Sequence, residues 1–331
     1  MRSKKAVYNI ISTLILQIIA IIYGFIVPKI IIKSFGSNVN GLVSSITQFL
    51  AYITLLESGV GPVIKASLYK PLANKNKQDI ANIIKASEKF FKTISYIFIA
   101  YLLCLAFIYP LIVSSEFSYF YTLSLIIIIS ISTFAEYYFG MAYRLYLQAE
   151  QKSYIISLIQ IITYVLSVII IIILVKYNCS IHIIKLASGL IFVLRPILQN
   201  IYVKKKYQIN LNIADKNYQL KNKWDGLAQH IAAVIHGNTD ITILTILCNL
   251  AEVSVYSIYY LVVKGVKSIT QAFTGGIDAS FGDMIAKGEN KNLNKKFNLY
   301  EIFYFTIITI IYTCTIILIV PFVKVYTLGI N

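Results

Sequence analysis

Eight of the charged side chains inside long apolar runs of this sequence are where any chemistry has to be sought first. Lys185, Arg195, Lys264 and Lys267 are the cations, Glu57, Glu136, Asp240 and Asp278 the acids, so the set sums to zero. A charge at a bilayer midplane costs at least about 2.5 to 3.5 kcal/mol on insertion scales, so such residues turn towards a partner or a wet cavity rather than towards lipid. Most of them lie in stripes. Tyr256, Tyr260, Lys264, Lys267 and Gln271 are separated by 4, 4, 3 and 4 residues, and the stripe runs on through Thr274 to Asp278. That spacing marks one face of a helix. Lys185, Ser188, Phe192, Arg195, Gln199 and Tyr202 repeat it with steps of 3, 4, 3, 4 and 3. Shorter stripes are Asn9, Thr13, Gln17 and Gly24, then Ser153, Ser157, Gln160, Tyr164 and Ser167, then Gln229, Ala233, His236 and Asp240. Any single Ser, Thr or Gln here serves equally for hydrogen bonding between helices. Several charged stripes together indicate a polar cavity.

At 1.5 Å per residue from each expected midpoint, Lys267 sits near the bilayer centre, with Arg195 and Lys264 within about 5 Å of it. Arginine offers a phosphate a bidentate fork and lysine a point charge. We therefore expect a central cationic belt that binds an anion, built from Arg195, Lys264 and Lys267 with Gln17, Tyr260 and Gln271 lining the cavity. Asp240 and Lys264 lie at similar depth, and Asp240 serves either as a structural partner of Lys264 or in a substrate or coupling role. Glu57 and Glu136 are either proton or sodium coupling sites or partners of Lys65 and Arg144. With Asp240 and Asp278 they are the coupling or gating candidates.

Familiar catalytic chemistry is missing. The sequence has no phosphate-binding G-x-x-x-x-G-K-[ST] loop, no G-x-G-x-x-G, H-E-x-x-H, G-x-S-x-G or C-x-x-C, and no paired carboxylates. His230 and His236 do not share a ligand spacing with a third donor, so no metal site is expected. Cys104, Cys179, Cys248 and Cys314 are scattered and indicate neither a disulfide framework nor a thiolate site. We expect a transporter rather than an enzyme, with no catalytic residue and no cofactor.

The elements that must position these groups follow from composition. The protein has 331 residues, 58% hydrophobic and only 13% charged, with a mean hydropathy of +0.73, against roughly 25% charged in soluble domains. The net charge of +16 does not indicate nucleic acid, because apolar runs of membrane-spanning length interrupt the basic residues. Nine runs are long enough to span a bilayer, near 7 to 32, 39 to 63, 91 to 113, 119 to 142, 154 to 175, 181 to 203, 226 to 248, 254 to 280 and 301 to 323. With the N-terminus in the cytoplasm, 22 Lys and Arg fall on the inner side and four (Lys29, Lys33, Lys176 and Lys324) on the outer. The positive-inside rule selects that orientation.

The sequence from Gln17 onward resembles itself from Gln229 onward, an offset of 212. Leu72-Ala73-Asn74-Lys75-Asn76-Lys77 aligns with Ile285-Ala286-Lys287-Gly288-Glu289-Asn290, and Ile108-Tyr109-Pro110 with Ile319-Val320-Pro321. Six spans precede the second copy, so the two lobes share one membrane orientation, an arrangement found in transporters. The expected fold is an all-α integral membrane protein, a two-lobe transporter bundle with parallel six-helix repeats. Residues 1–203 form the N-terminal six-helix lobe, 204–224 a basic cytoplasmic linker and 225–331 a partial C-terminal lobe of three helices. A full second lobe would end near residue 415, so on this reading the second lobe is incomplete and the protein is truncated at its C-terminal end, with about nine spans. Glu57-Ser58-Gly59-Val60-Gly61-Pro62 should loosen the end of the second span, and Thr274-Gly275-Gly276 occupies the matching place in the eighth.

Several short patterns occur in order along the whole sequence. Asn9-Ile10-Ile11-Ser12 with Gln17 and Pro28 precedes Phe35-Gly36-Ser37-Asn38-Val39-Asn40-Gly41-Leu42, Gln48, Glu57, Gly59 and Leu68-Tyr69-Lys70-Pro71-Leu72-Ala73. Thr239-Asp240-Ile241, Val253-Ser254-Val255-Tyr256 and Ala279-Ser280-Phe281-Gly282-Asp283-Met284-Ile285 follow. In these the protein resembles polysaccharide-biosynthesis (O-antigen-type) flippases of the MOP exporter superfamily, particularly those of low-GC Gram-positive bacteria. The resemblance implies a bundle of 12 or 14 helices in the bacterial cytoplasmic membrane. Such a bundle moves an undecaprenyl-diphosphate-linked oligosaccharide to the outer leaflet by alternating access, driven by a Na+ or H+ gradient or the membrane potential. The implied partners are membrane lipids, the lipid-linked oligosaccharide and other polysaccharide-assembly enzymes, with no nucleic acid. A multidrug antiporter of the same superfamily and an inactive truncated member are the alternatives.

Overall fold

The computed structural model describes residues 2–57, 59–215, 218, 227–275 and 290–328. Asp278, the repeat-matching residues 285–289 and the side chains of Gln229, His230, Ala233, His236 and Gln271 lie outside what it describes. Backbone amides in hydrocarbon must find partners within their own segment, which leaves the helix as the available form for such apolar runs. The described residues accordingly form twelve α-helices and no strand. They are α1 (Arg2–Phe35), α2 (Ser37–Ala51), α3 (Thr54–Glu57), α4 (Val60–Ala73), α5 (Lys77–Ile112), α6 (Tyr119–Ala135), α7 (Met141–Ala149), α8 (Ser153–Lys176), α9 (Ile181–Tyr207), α10 (Leu227–Leu247), α11 (Leu250–Gly275) and α12 (Asn290–Tyr326). A π turn, Glu136–Gly140, joins α6 to α7.

Among the described residues seven helical stretches are long and apolar enough to cross a membrane: α1 from Tyr8, α2 with α3, α5, α6 through α7, α8, α9, and α12 from Lys296. The protein is a multi-pass membrane protein. The seven coincide with the first six runs and the ninth run read from the sequence. The described parts of the runs at 226 to 248 and 254 to 280 fold as the helices α10 and α11, which are not among the seven.

One expected span is broken and another is prolonged. The run near 39 to 63 stops at Ala51, resumes for one turn and starts again as α4. The hydroxyls of Thr47 and Thr54 bond back to the carbonyls of Val43 and Ala51, each at 2.7 Å, a habit that bends helices. Pro62 lies in the first turn of α4, where a missing N–H costs nothing. The fourth run passes its expected end at 142 and, through the π turn, reaches Ala149.

The protein forms two compact units, Met1–Ser254 and Val255–Asn331. In the first, α1 packs along α8, α8 along α9 and α9 along α6, while α4, α5 and α7 pack together and α10 lies on α2. Asn9 ties α1 to α8: its amide donates to the Gln151 carbonyl at 3.0 Å and accepts the Tyr154 N–H at 2.9 Å. A buried polar seam joins α2 to α10 and the first turn of α11. Asn40 donates to Ser254 at 2.8 Å, Ser45 meets Thr245 at 2.7 Å, and Tyr52 meets Thr242 at 2.8 Å. Gly41 closes the seam so tightly that a Cβ there would sit 1.8 Å from the Leu250 carbonyl oxygen.

At one end of this unit four lysines lie over tyrosine rings. They are Lys92 on Tyr138 (5.6 Å), Lys204 on Tyr143 (5.6 Å), Lys152 on Tyr207 (4.6 Å) and Lys206 on Tyr202 (5.8 Å). The segment leaving α9 is strapped to the start of α5: Gln78 donates to the Ile213 carbonyl, the Asp215 N–H donates to Asn82 at 2.7 Å, and Lys85 reaches the Leu211 carbonyl at 3.4 Å. Burial against this strap, reinforced by Asp79, raises the Tyr218 phenol above its usual range.

In the second unit α11 stacks Tyr256 on Tyr260, with ring centroids 6.0 Å apart and planes at 16°. Its other helix, α12, exposes Ile302, Phe303, Phe305, Ile316, Ile317 and Leu318, a surface suited to lipid.

Candidate functional site

Three adjoining cavities run through the first unit. The largest, about 470 Å3, is bounded by Tyr23 of α1, Thr47 of α2, Ser132 and Thr133 of α6, and Lys185 and Ser188 of α9. The next, about 280 Å3, shares Thr54, Ser132, Thr133 and Phe192 with it and adds Glu57, Glu136, Tyr137, Arg144 and Arg195. The third, about 210 Å3, shares Glu57, Met141 and Arg144 with the second and ends at Lys65 and Gln148. End to end they form one polar path, with four cations (Lys65, Arg144, Lys185 and Arg195) against two carboxylates (Glu57 and Glu136). That excess favours an anion.

Each part of the path rests on an element. The α9 stripe supplies Lys185, Ser188, Phe192 and Arg195 because residues three and four apart share a helix face. Arg195 is held in a clamp. Its Nε donates to Thr163 Oγ1 at 2.7 Å, and its guanidinium lies 4.4 Å from the Tyr164 ring centroid and 4.1 Å from that of Phe192. Tyr23 packs on both rings, 4.7 Å from Tyr164 and 6.0 Å from Phe192. Arg195 Nη2 is buried without a hydrogen-bond partner among the described residues. A positioned guanidinium with a spare donor edge suits a phosphate or carboxylate oxygen.

The π turn sets the acidic half. Eight residues of ideal α-helix would turn Arg144 about 80° away from Glu136, too far round for a direct contact. A π turn takes up one extra residue, which returns Arg144 to within about 20° of the Glu136 face. The Arg144 Nη1 to Glu136 Oε1 ion pair then closes at 2.8 Å, with the two side chains 32% and 26% exposed. Tyr137, next in the turn, donates to Glu57 Oε2 at 2.8 Å. Gly140 ends the turn against α9, where a Cβ would lie 2.4 Å from Pro196 Cβ and 2.9 Å from its Cα.

The structure thus brings Arg195, Glu57 and Glu136 together around the middle cavity. Of the two partners weighed for Glu136, Arg144 is the one that binds it. Gln17 is half-buried on α1 and lines none of the three cavities. Asp240 is exposed on α10 in the first unit, whereas Tyr260 (half-buried), Lys264 and Lys267 (both exposed) belong to α11 in the second. Lys264 and Lys267 make no ion pair among the described residues. Gln271 lies outside the described side chains and Asp278 outside the described residues.

Sequence reasoning missed Tyr23, Thr54, Ser132, Thr133 and Tyr137. The adjacent Ser132 and Thr133 interrupt an isoleucine-rich run, a signal that was there to be read; Tyr137 reaches Glu57 from a span distant in sequence and gave none. Gln199, from the α9 stripe, is 1% exposed with neither end of its amide hydrogen-bonded. All four cysteines are free, and no group of His, Cys, Asp or Glu among the described residues is placed to hold a metal. No family model, no curated protein and no solved structure matches the protein.

Proposed function

We propose that the protein is a flippase of the bacterial cytoplasmic membrane that moves a diphosphate-linked oligosaccharide lipid from the inner to the outer leaflet for surface-polysaccharide assembly. What supports the reading is the polar path inside a bundle of membrane-length helices, with Arg195 presenting a donor that no described residue uses. The sequence patterns shared with polysaccharide flippases supply the substrate class. In this reading Arg195 contacts a phosphate oxygen, and Lys264 and Lys267, exposed on α11 of the second unit, are candidate cations to be tested separately. Nine spans in two parallel lobes, with the N-terminus in the cytoplasm and coupling to a Na+ or H+ gradient or the membrane potential, belong to the same proposal.

A second reading, an ion-coupled exporter of organic cations, draws on the Glu57 and Glu136 carboxylates in the middle cavity. The two separate experimentally. The protein is expressed in cells lacking their polysaccharide flippase, and the leaflet that holds the lipid-linked oligosaccharide is determined. A flippase moves it outward, and Arg195→Ala abolishes that movement while the protein still inserts. A cation exporter leaves the lipid inside, lowers cellular accumulation of a cationic dye and tolerates Arg195→Ala. Inserted protein with neither activity counts against both and points to an inactive member.

A further inference from the structure

The largest cavity differs in charge from the rest of the path. Its lining contains one cation, Lys185, and no carboxylate, whereas the two acids line the cavities beyond Thr54. The Lys185 ammonium makes no hydrogen bond or ion pair among the described residues. The hydroxyls around it are of two kinds. Thr47 and Ser188 donate to carbonyls of their own helices at 2.7 and 3.1 Å, Thr54 donates to the Ala51 carbonyl at the end of α2 at 2.7 Å, and the Tyr23 hydroxyl meets that of Ser167 at 3.3 Å. The hydroxyls of Ser132 and Thr133 make no hydrogen bond among the described residues, and both residues border this cavity and the next. One ammonium and two uncommitted hydroxyls therefore face a space otherwise walled by groups such as Leu50, Ile53, Ile129 and Phe192.

Lys185 is half-buried, and an ammonium in the span of a membrane-length helix with no counter-charge is costly, a cost that a mobile anion reduces. Charge balance selects the kind of anion. A single cation matches one negative charge, so a doubly charged oxyanion would leave a charge uncompensated among apolar walls. It would also give up a hydration shell that three donors cannot replace. A weakly hydrated monovalent ion loses less and needs few donors. We propose that Lys185, Ser132 and Thr133 form a binding site for a halide ion, with chloride the abundant occupant. The site is independent of the transport reading, because it requires only the fold of the first unit.

The competing account is that Lys185, about 6 Å along α9 from Ile181, extends its ammonium to the nearby membrane surface. The full-length protein, purified in detergent, is titrated from sodium gluconate into sodium chloride and sodium bromide at constant sodium, and its unfolding temperature is followed. A saturable rise on the order of a few degrees is expected, retained in Lys176→Gln, shifted to at least tenfold higher halide in Ser132→Ala/Thr133→Val, and lost in Lys185→Gln. The absence of a halide effect in the unmodified protein would overturn the site, as would an equal effect in Lys185→Gln or an equal effect of sulfate. Should Lys185→Gln fail to fold, the chloride-35 NMR linewidth decides. Broadening by the unmodified protein that bromide displaces supports the site, and no displaceable broadening removes it.

Discussion

At the scale of single residues the path is held by groups whose removal has unequal effects. Breaking a fully buried ion pair costs about 3 to 5 kcal/mol. Arg144 and Glu136 keep a quarter to a third of their surface exposed, so Arg144→Gln should destabilise by less, about 1 to 3 kcal/mol. The double change Arg144→Gln/Glu136→Gln should recover part of that loss, because the Glu136 carboxylate is then no longer left unmatched, although Glu57, which lines the same cavities, still loses the nearby cation. Thermal unfolding of the detergent-solubilised variants reads both, and an equal loss in the single and double variants would remove the pair from the account. Arg195 is a different case, since its guanidinium is positioned by two rings and by Thr163. Lysine keeps the charge but has neither the planar face nor the Nε donor. Arg195→Lys is therefore expected to lose at least tenfold in lipid outward movement, close to the loss in Arg195→Ala, with insertion unchanged. Near-normal movement in Arg195→Lys would mean that charge alone matters there.

At the scale of elements two features decide how the path is framed. The first is the seam of α2 with α10 and α11. Its side-chain hydrogen bonds contribute about 1 kcal/mol each, so losing one by Ser45→Ala should be mild. Gly41→Leu, by contrast, drives a side chain into the Leu250 backbone and should lower the unfolding temperature far more. The second is the π turn. It stores one surplus residue, so deleting Tyr138 should convert it to regular α-helix with both flanking segments kept in register. Deleting Ile127 rotates everything before it by about 100° relative to the remainder. The yield of monodisperse protein should survive the first deletion and collapse with the second; equal yields would argue against the turn as a stored insertion. These elements differ in how far the sequence announces them. The α9 stripe was legible because spacing by three and four residues is a property of the helix itself. The interruption after Glu57 was legible in Gly59, Gly61 and Pro62, although the earlier break at Ala51 was not. Nothing in Glu136-Tyr137-Tyr138-Phe139-Gly140 announces a π turn, because its form accompanies contact with Pro196, a residue of another helix. The Tyr137 to Glu57 bond was hidden for the same reason: it joins residues 80 positions apart.

At the scale of the whole molecule, seven of the nine expected runs were legible as membrane-length helices, because each span must satisfy its own backbone and that requirement is local; their exact lengths were not, since the second is broken and the fourth prolonged. The packing of the first unit was not, since which polar stripe meets which depends on contacts between spans. Orientation rests on charge asymmetry and is open to a direct test in a cysteine-free background. A cysteine at Asn178, between α8 and α9, should react with an impermeant maleimide in intact cells. One at Asn76, between α4 and α5, should react only after permeabilisation. The reverse pattern would invert the topology and with it the proposed direction of transport. The four lysine and tyrosine pairs carry a last consequence. A ring with an ammonium over its face is at ease where hydrocarbon gives way to water, and these pairs ring one end of the first unit. They moor the protein at that boundary, while exposed Phe120 and Tyr177 mark the opposite end without a lysine over their rings among the described residues. In a membrane that thickens by a few ångströms, the more firmly moored end keeps its level and more of the adjustment falls on the far leaflet, so the two ends of the path feel lipid composition unequally.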